Sequence, residues 1–324
     1  MSSIEIVPYT AADKQLWDEF VSQSNNGTLF HKQSFLAYHP EDRFIESSLL
    51  FYKSGRLLAV LPAARRPGDG ENLLVSHPGA SFGGFVVKGD LSLKNASLLV
   101  EALISHGREN QFSGIDITSP PCIYLQMPSQ YLDFALYLAG FHYRKREVSS
   151  IIQLPASKTE VLAMFKPEAR TAVRRAEKLG VTVRMDDNYE AFYQILEKNL
   201  KLRHDVIPTH SLPELQELVR RFPDEIVLFS AYVENELAAG IVLFHANAKT
   251  TLAFYISHST KYQKYRVVNY LFYHVFCWCL KKGFRFLDFG LFTVNMEPNW
   301  GLGRFKESFG AQGVFRESFR FILK

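Results

Sequence analysis

The residues best suited to chemistry stand near the end of the chain. The stretch GLGRFKESFG (301 to 310) sets three glycines, two aromatics and two cations around one glutamate. Glycine accepts positive φ and presents no side chain, so a loop of this composition can bring its backbone close to another molecule, or can be an ordinary turn. Within it Lys306 is a compact cation able to stabilise an oxyanion or a donor phosphate, and Phe305 is a flat apolar surface on which a base or acyl group could stack.

A second group lies in KLRHDVIPTHSLPEL (201 to 215), where a helix ends at Arg203 and His204, Pro208 makes a turn, and Ser211 with Glu214 forms a capping box for the next helix. His204 and His210 have an ordinary pKa near neutrality, so either is a candidate general base or acceptor-binding group, set against a structural role. Tyr255 is a further catalytic candidate, on the strand that opens TLAFYISHSTKYQKYRVVNYLF (251 to 272), and Asn269 follows at the start of the next helix as a candidate substrate contact. In KPEARTAVRRAEKLGVTV (166 to 183), Arg170, Arg174 and Lys178 recur every four residues with Arg175 beside them. They form either a solvated face or a seat for anionic parts of a substrate, and Arg203 would serve the same purpose. No nucleophile elbow, paired metal-binding cysteine set or phosphate loop accompanies these groups.

These candidates must be held by a folded scaffold. Hydrophobic residues make up 47% of the 324 and charged residues 22%, which leaves little room for long disorder and is more chain than one core usually serves. With 37 Lys and Arg against 33 Asp and Glu the net charge is +4, so positive charge must act locally. That argues against stable nucleic-acid association. Three cysteines and an N-terminus without a basic start or apolar centre fit a cytoplasmic setting. The longest apolar run, Val267 to Leu280, falls short of the roughly 20 residues that span a bilayer, so integral membrane association is not expected.

Apolar spacing predicts helices over about 11–23, 93–108, 130–139, 158–180, 188–204, 211–222 and 267–282, with hairpins at 48–64 and 225–246. The hairpins superimpose at a shift of about 180 residues, with Tyr52 on Tyr232 and Ala59 on Ala239. Further on, FSGIDIT matches FRFLDFG with Asp116 on Asp288, and the same shift of 172 carries Tyr143-Arg144 onto Phe315-Arg316. A constant shift with matching helices indicates an internal repeat. The expected fold is α/β (α+β), two tandem halves of mixed, mostly antiparallel sheet flanked by helices, divided near Pro155 into 1–155 and 156–324. Substrates are expected in the cleft between the halves.

The order ARTAVRRAEKLGV, LRHDVIPTH, FRFLDFGLF and GLGRFKESFGAQ resembles the FemAB-like branch of the GNAT acyltransferase superfamily, over residues 165 to 314 above all. The resemblance implies two GNAT-like halves, the first degenerate, and transfer of an acyl or aminoacyl group to an amine of a cell-envelope or polysaccharide-related acceptor. The peptidoglycan-bridge members take the amino acid from aminoacyl-tRNA, which makes acyl-CoA or aminoacyl-tRNA the donor to expect and tRNA a partner only in that sense; no other cofactor is implied. It places Phe305 and Lys306 beside the acyl donor. Where such enzymes hold a pyrophosphate with a glycine-rich turn, this chain has Tyr262 to Arg266 without glycine, which argues against ordinary coenzyme A binding and hands that role to cationic side chains. The competing reading is a non-catalytic module that holds a glycan or phosphate-bearing ligand on the same scaffold.

Overall fold

The computed structural model describes residues 3–68, 70, 72–204 and 207–323, with the side chains of 202–204 excepted. The chain forms two compact units, residues 1–147 with 315–324 and residues 148–314.

The first unit runs β1 (Ile4–Pro8), α1 (Lys14–Ser22), α2 (Gln33–Leu36), β2 (Ile45–Glu46), β3 (Leu49–Lys53), β4 (Arg56–Leu61), β5 (Ala64–Arg65), β6 (Leu73–Ser76), β7 (Val86–Val87), α3 (Leu93–Glu109), β8 (Gly114–Thr118) and α4 (Tyr131–Leu138). Strand alternation sets its layers. Leu49, Phe51, Ala59 and Leu61 pack with α3 and α4, whereas Leu50, Val60 and Val86 point the other way onto Trp17, Phe20 and Val21 of α1. One sheet has the antiparallel order β1-β3-β4-β7, and β8 pairs in parallel with β6 beside it.

The long strand β9 (His142–Gln153) leads into the second unit. There follow α5 (Lys158–Met164), α6 (Pro167–Lys178), β10 (Thr182–Asp186), α7 (Tyr189–His204), α8 (Leu212–Arg221), β11 (Ile226–Val233), β12 (Glu236–His245), β13 (Thr250–His258), α9 (Val267–Lys281), β14 (Phe286–Leu291), β15 (Thr293–Val294), β16 (Glu297–Pro298), α10 (Trp300–Glu307) and β17 (Gln312–Ile322). Strands β10 to β13 form an antiparallel meander. Val227, Phe229, Ala231 and Val233 face α6 and α9. On the opposite face α7 approaches so closely that a Cβ on Gly240 would lie 2.3 Å from the Phe192 ring. Among the described residues no helix is long and apolar enough to cross a membrane.

The repeat extends to fine detail. Both hairpins turn on two residues of positive φ, Ser54-Gly55 and Glu234-Asn235, as the tight turns that match strand twist require. Both also break register at one position, between Phe51 and Tyr52 and between Ala231 and Tyr232. The halves are nevertheless not closed units. Residues Ser149 to Gln153 of β9 pair with β14 in the second unit, and Ser318 to Ile322 of β17 pair with β8 in the first. Each half thus lends its last strand to the other unit's sheet, whereas the sequence alone places a single division near residue 155.

Two expectations are corrected. The predicted helix 158–180 is two, α5 and α6, because Pro167 forces Lys166 into an extended conformation (φ −62°, ψ 155°) and starts a new helix behind it. The glycine-lined stretch at 301 to 310 is not a loop but most of α10 and its end. Asn299 caps that helix by accepting from the Leu302 N–H at 3.0 Å, and Gly303 lets it settle against the Phe292 ring. Gly310, at φ +88°, ends it.

The Phe192 contact gives a direct test of the packing. Gly240→Ala should destabilise the protein by about 1–3 kcal/mol, the usual effect of overpacking a filled site. Urea unfolding with an unchanged m-value and a lower midpoint is the expected result.

Candidate active site

Strands β13 and β14 run parallel but pair only over Thr250–Leu252 and Phe286–Asp288. Beyond that point they part, β13 continuing to His258 and β14 to Leu291. An opening in a parallel sheet at its strand ends is a common place for a ligand, because backbone groups there lack strand partners. The residues beside it decide what it can do.

On the β14 side the key group is Asp288, 1% exposed. It accepts from Ser149 Oγ at 2.5 Å and from the Gly290 N–H at 2.7 Å. That second bond holds a bend at Gly290, whose φ of +75° suits glycine, and strand register shifts between Asp288 and Leu291. The bend turns two carbonyls toward α10. Lys306 Nζ donates to Gly290 O at 2.7 Å and to Leu291 O at 2.8 Å. Lys306 is 3% exposed, and burial pulls its pKa down to about 8 from 10.5, opposed by the charge of Asp288. An ammonium has three donors, so one N–H remains beyond these two bonds. Phe305, the preceding residue, is half-buried and packs edge-on against Phe309 at 5.1 Å.

On the β13 side a bulge at Phe254 changes which way side chains point. Tyr255 stands opposite Val242 and Ala253 opposite Leu243, which leaves Phe254 as the extra residue. Ala253 and Ile256 therefore join the core under α6 and α9, while Phe254 and Tyr255 both reach His210 in the turn before α8. Tyr255 Oη accepts from the His210 N–H at 3.0 Å and lies 2.9 Å from His210 Nδ1, and Tyr193 Oη donates to the His210 carbonyl at 3.1 Å. Burial raises the Tyr255 pKa well above the ordinary phenol value, so the hydroxyl keeps its proton at neutral pH. The expected capping box Ser211–Glu214 is present and fixes the start of α8.

The structure brings His210 to Tyr255 but joins neither to Lys306 by a hydrogen bond among the described residues. Arg174 and Arg175 lie exposed on α6, whose buried face of Ala169, Ala172, Val173 and Ala176 packs on the core. Asn269 is half-buried in the first turn of α9, with its N–H bonded to Arg266 O at 3.1 Å. The side chains of Arg203 and His204 lie outside the described residues. In the turn before α9, Lys261 is tied to Glu236 at 2.6 Å, and Lys264 lies over the Tyr265 ring. Arg266 is the exposed cation at the helix start, at φ +58°. Sequence reasoning missed Ser149 and Gly290. Gly290 was legible as a glycine two residues after an acid in LDFGLF, whereas Ser149 arrives through strand pairing from 139 positions away.

Residues 165–306 match the acetyltransferase (GNAT) domain family. No curated protein matches the chain by sequence. Among solved structures the chain is similar to the crystal structure of FemX, with TM-score 0.74 and 17% identity over 98% of this chain and 97% of that one. It is also similar to a tandem GNAT protein from the clavulanic acid biosynthesis pathway (TM-score 0.58, 14% identity, 99% of each chain). A third similar structure is L-PGS from Bacillus licheniformis (TM-score 0.60, 13% identity, 95% of this chain and 91% of that one). The fold is therefore that of a tandem GNAT protein, spanning the whole chain. The chain thus combines a FemX-like tandem fold over its whole length with an acetyltransferase (GNAT) domain match within its second unit.

The buried amine predicts a pH signature. Its folded pKa lies below the unfolded value, so the unfolded chain binds the extra proton between about pH 8 and pH 10.5, and stability from this group rises with pH across that window. Compared with Lys306→Met, the wild type should gain stability from pH 8 to pH 10. Denaturation midpoints of both proteins across that range give the comparison, and parallel curves would contradict it.

Proposed function

We propose that this protein transfers an acyl or aminoacyl group to an amine of a cell-envelope or polysaccharide-related acceptor, at the opening between β13 and β14. The observation that carries this reading is Lys306, a lysine buried beside that opening with two N–H groups committed to backbone carbonyls and its pKa drawn to about 8. The GNAT domain match and the FemX-like fold support the reaction class. The resemblance of ARTAVRRAEKLGV and GLGRFKESFGAQ to FemAB-like proteins supports the acceptor class.

In such a reaction the acceptor amine attacks the donor carbonyl, an N–C bond forms, and the ester C–O or thioester C–S bond breaks. The amine loses a proton and the leaving group gains one. Lys306 is a preorganised donor for the oxyanion or for a donor phosphate, because its position is fixed before substrate arrives. Tyr255, protonated and held by His210, supplies a proton to the leaving group, while His210 is the base that takes up the proton lost by the amine and returns one to the Tyr255 phenolate. Arg174, Arg175 and Arg203 are the cations for anionic parts of either substrate, with Asn269 and His204 as further contacts, while Phe305 supports α10 and borders the donor.

The test is turnover. The protein is incubated with aminoacyl-tRNA or acyl-CoA and a panel of amine acceptors, and products are read by mass spectrometry. With a productive pair, Lys306→Ala should lower kcat by about 10²-fold or more, the scale of a lost oxyanion donor. Tyr255→Phe should lower kcat by about 10²-fold with KM little changed. Binding of these ligands without turnover across the panel would favour the non-catalytic module instead, and full turnover by folded Lys306→Ala would remove that lysine from the mechanism.

A further inference from the structure

The first unit has an opening of its own, at the repeat counterpart of the one between β13 and β14. In the second unit a single strand, β13, pairs in parallel with β14 and antiparallel with β12. In the first unit two short strands divide those pairings, β6 lying beside β8 and β7 beside β4, and β7 is not a neighbour of β8 in either sheet. The segment before β7 is tied to the end of β8 by the bond from the Gly83 N–H to Thr118 O at 2.8 Å. Helix α4 follows β8 as α10 follows β14.

Between β7, the end of β8 and α4 lies a cavity of about 50 Å³. Its walls are apolar, and Phe85, Val87, Ile117 and Leu136 among them are buried. Its rim includes Gly89 and Ser129, which are exposed. A water needs only about 10–15 Å³ on the same measure, so there is room for a small polar head with the rest of its molecule leaving past the rim.

The polar groups around this space differ in what is left to them. Asn25 donates to Met127 O at 2.9 Å and accepts from its N–H at 2.8 Å, and Asn26 donates to Phe85 O at 2.7 Å and accepts from the Val87 N–H at 2.9 Å. Both amides are therefore taken up by the backbone. By contrast, the Ser119 and Ser129 hydroxyls and the Asp133 carboxyl, which also line the cavity, make no hydrogen bond among the described residues. Burial, with the charge of Glu317, pushes the Asp133 carboxyl up to about 6, so it is ionised at neutral pH. Glu317 has its own cation in Arg146, at 2.8 Å. Lys88, the cation among the lining residues, holds its ammonium over the Phe20 ring of α1 at 5.6 Å. A carboxylate drawn out of water with neither donor nor cation is costly, and in a cavity it marks a place that a ligand completes.

We propose that this cavity binds a primary ammonium group on an alkyl chain, with Asp133 pairing its charge, Ser119 and Ser129 accepting from its other N–H groups, and the chain lying against Val87 and Leu136. An ammonium has three donors and no acceptor, which matches three unpaired acceptor groups in an apolar wall. A divalent metal would need several oxygen ligands, and one carboxylate with two hydroxyls is a poor set for it. An anion would be repelled by Asp133. The counterpart opening in the second unit is bordered by the amine of Lys306, so the two halves set opposite charges at the same point of the repeat. The proposal does not rest on the acyl-transfer reading.

The probe is propylammonium chloride, titrated into the full chain by calorimetry at fixed ionic strength, with 1-propanol and sodium propionate as controls. Propylammonium should bind with a Kd of about 1–10 mM, the affinity open to so small a ligand, and neither control should bind measurably. Methyl NMR signals of Val87, Ile117 and Leu136 should move with the same midpoint. Asp133→Asn, which keeps the shape of the side chain, should weaken binding by about tenfold or more, the share of a hydrogen bond to a charged group. Circular dichroism establishes that the variant is folded. No saturable heat with propylammonium up to about 100 mM, tenfold above the weakest Kd expected, would overturn the proposal. Equal binding of 1-propanol would overturn it too, because the cavity would then be an apolar pocket only. Unchanged binding by folded Asp133→Asn would put the amine at some other site, with the same consequence. Should that variant not fold, the wild type still decides, since binding that leaves those three methyl signals in place is binding elsewhere. Every readout is of binding, so this proposal and the proposed activity fail separately.

Discussion

The second unit depends on how it keeps a charged amine under its surface. Removing an ammonium from water is costly unless acceptors replace the water, and Lys306 has its replacements in the Gly290 and Leu291 carbonyls. Those carbonyls face it only because the strand bends after Asp288, and the bend is held by the bond from the Gly290 N–H to the Asp288 carboxylate. Asp288 in turn is fixed by Ser149, on a strand contributed by the first half. One carboxylate therefore shapes the backbone, opposes the loss of the lysine's proton and ties in the borrowed strand.

The duplication shows what is particular about that arrangement. Asp116 is the repeat counterpart of Asp288, and it is also a buried acid on a strand that pairs with a borrowed partner. Yet Asp116 accepts from Arg320 at 2.6 and 2.7 Å and from Arg144 at 2.9 Å. Two guanidiniums use its acceptor sites, in the forked geometry arginine favours. In the second unit a hydroxyl and an amide take those places, and the cation stands apart on carbonyls of its own. The same acid serves as a structural anchor in one half and as part of a polar site in the other.

Much of this was legible because it follows from local pattern. The hairpins, the long helices and the Asp116–Asp288 match all rest on alternation, helical spacing or a constant shift, and the structure keeps them down to the bulge before Tyr52 and Tyr232. What the sequence hid depends on neighbours far along the chain. Two glycines argue against a helix at 301 to 307, but the Asn299 cap and the fit of Gly303 on Phe292 outweigh their propensity cost. Ser149 carries no signal at all, since its role exists only once β9 lies against β14. Lys306 could be chosen by type and spacing; that it is buried and already doubly bonded could not.

The bulge at Phe254 sets two further candidates, Tyr255 and His210, against each other. In a regular strand Tyr255 would share a face with Ala253 and point into the core under α9. The extra residue moves it to the opposite face, against His210, and leaves Phe254 stacked on Phe244 at 4.5 Å to close the space left behind. Both borders of the opening are thus built by a local break in strand regularity, a bulge on β13 and a glycine bend on β14. Regular strands would have continued to pair and would have sealed the sheet at this point. The irregularities that defeat simple pattern reading are the ones that end the pairing of these two strands and set polar groups beside it.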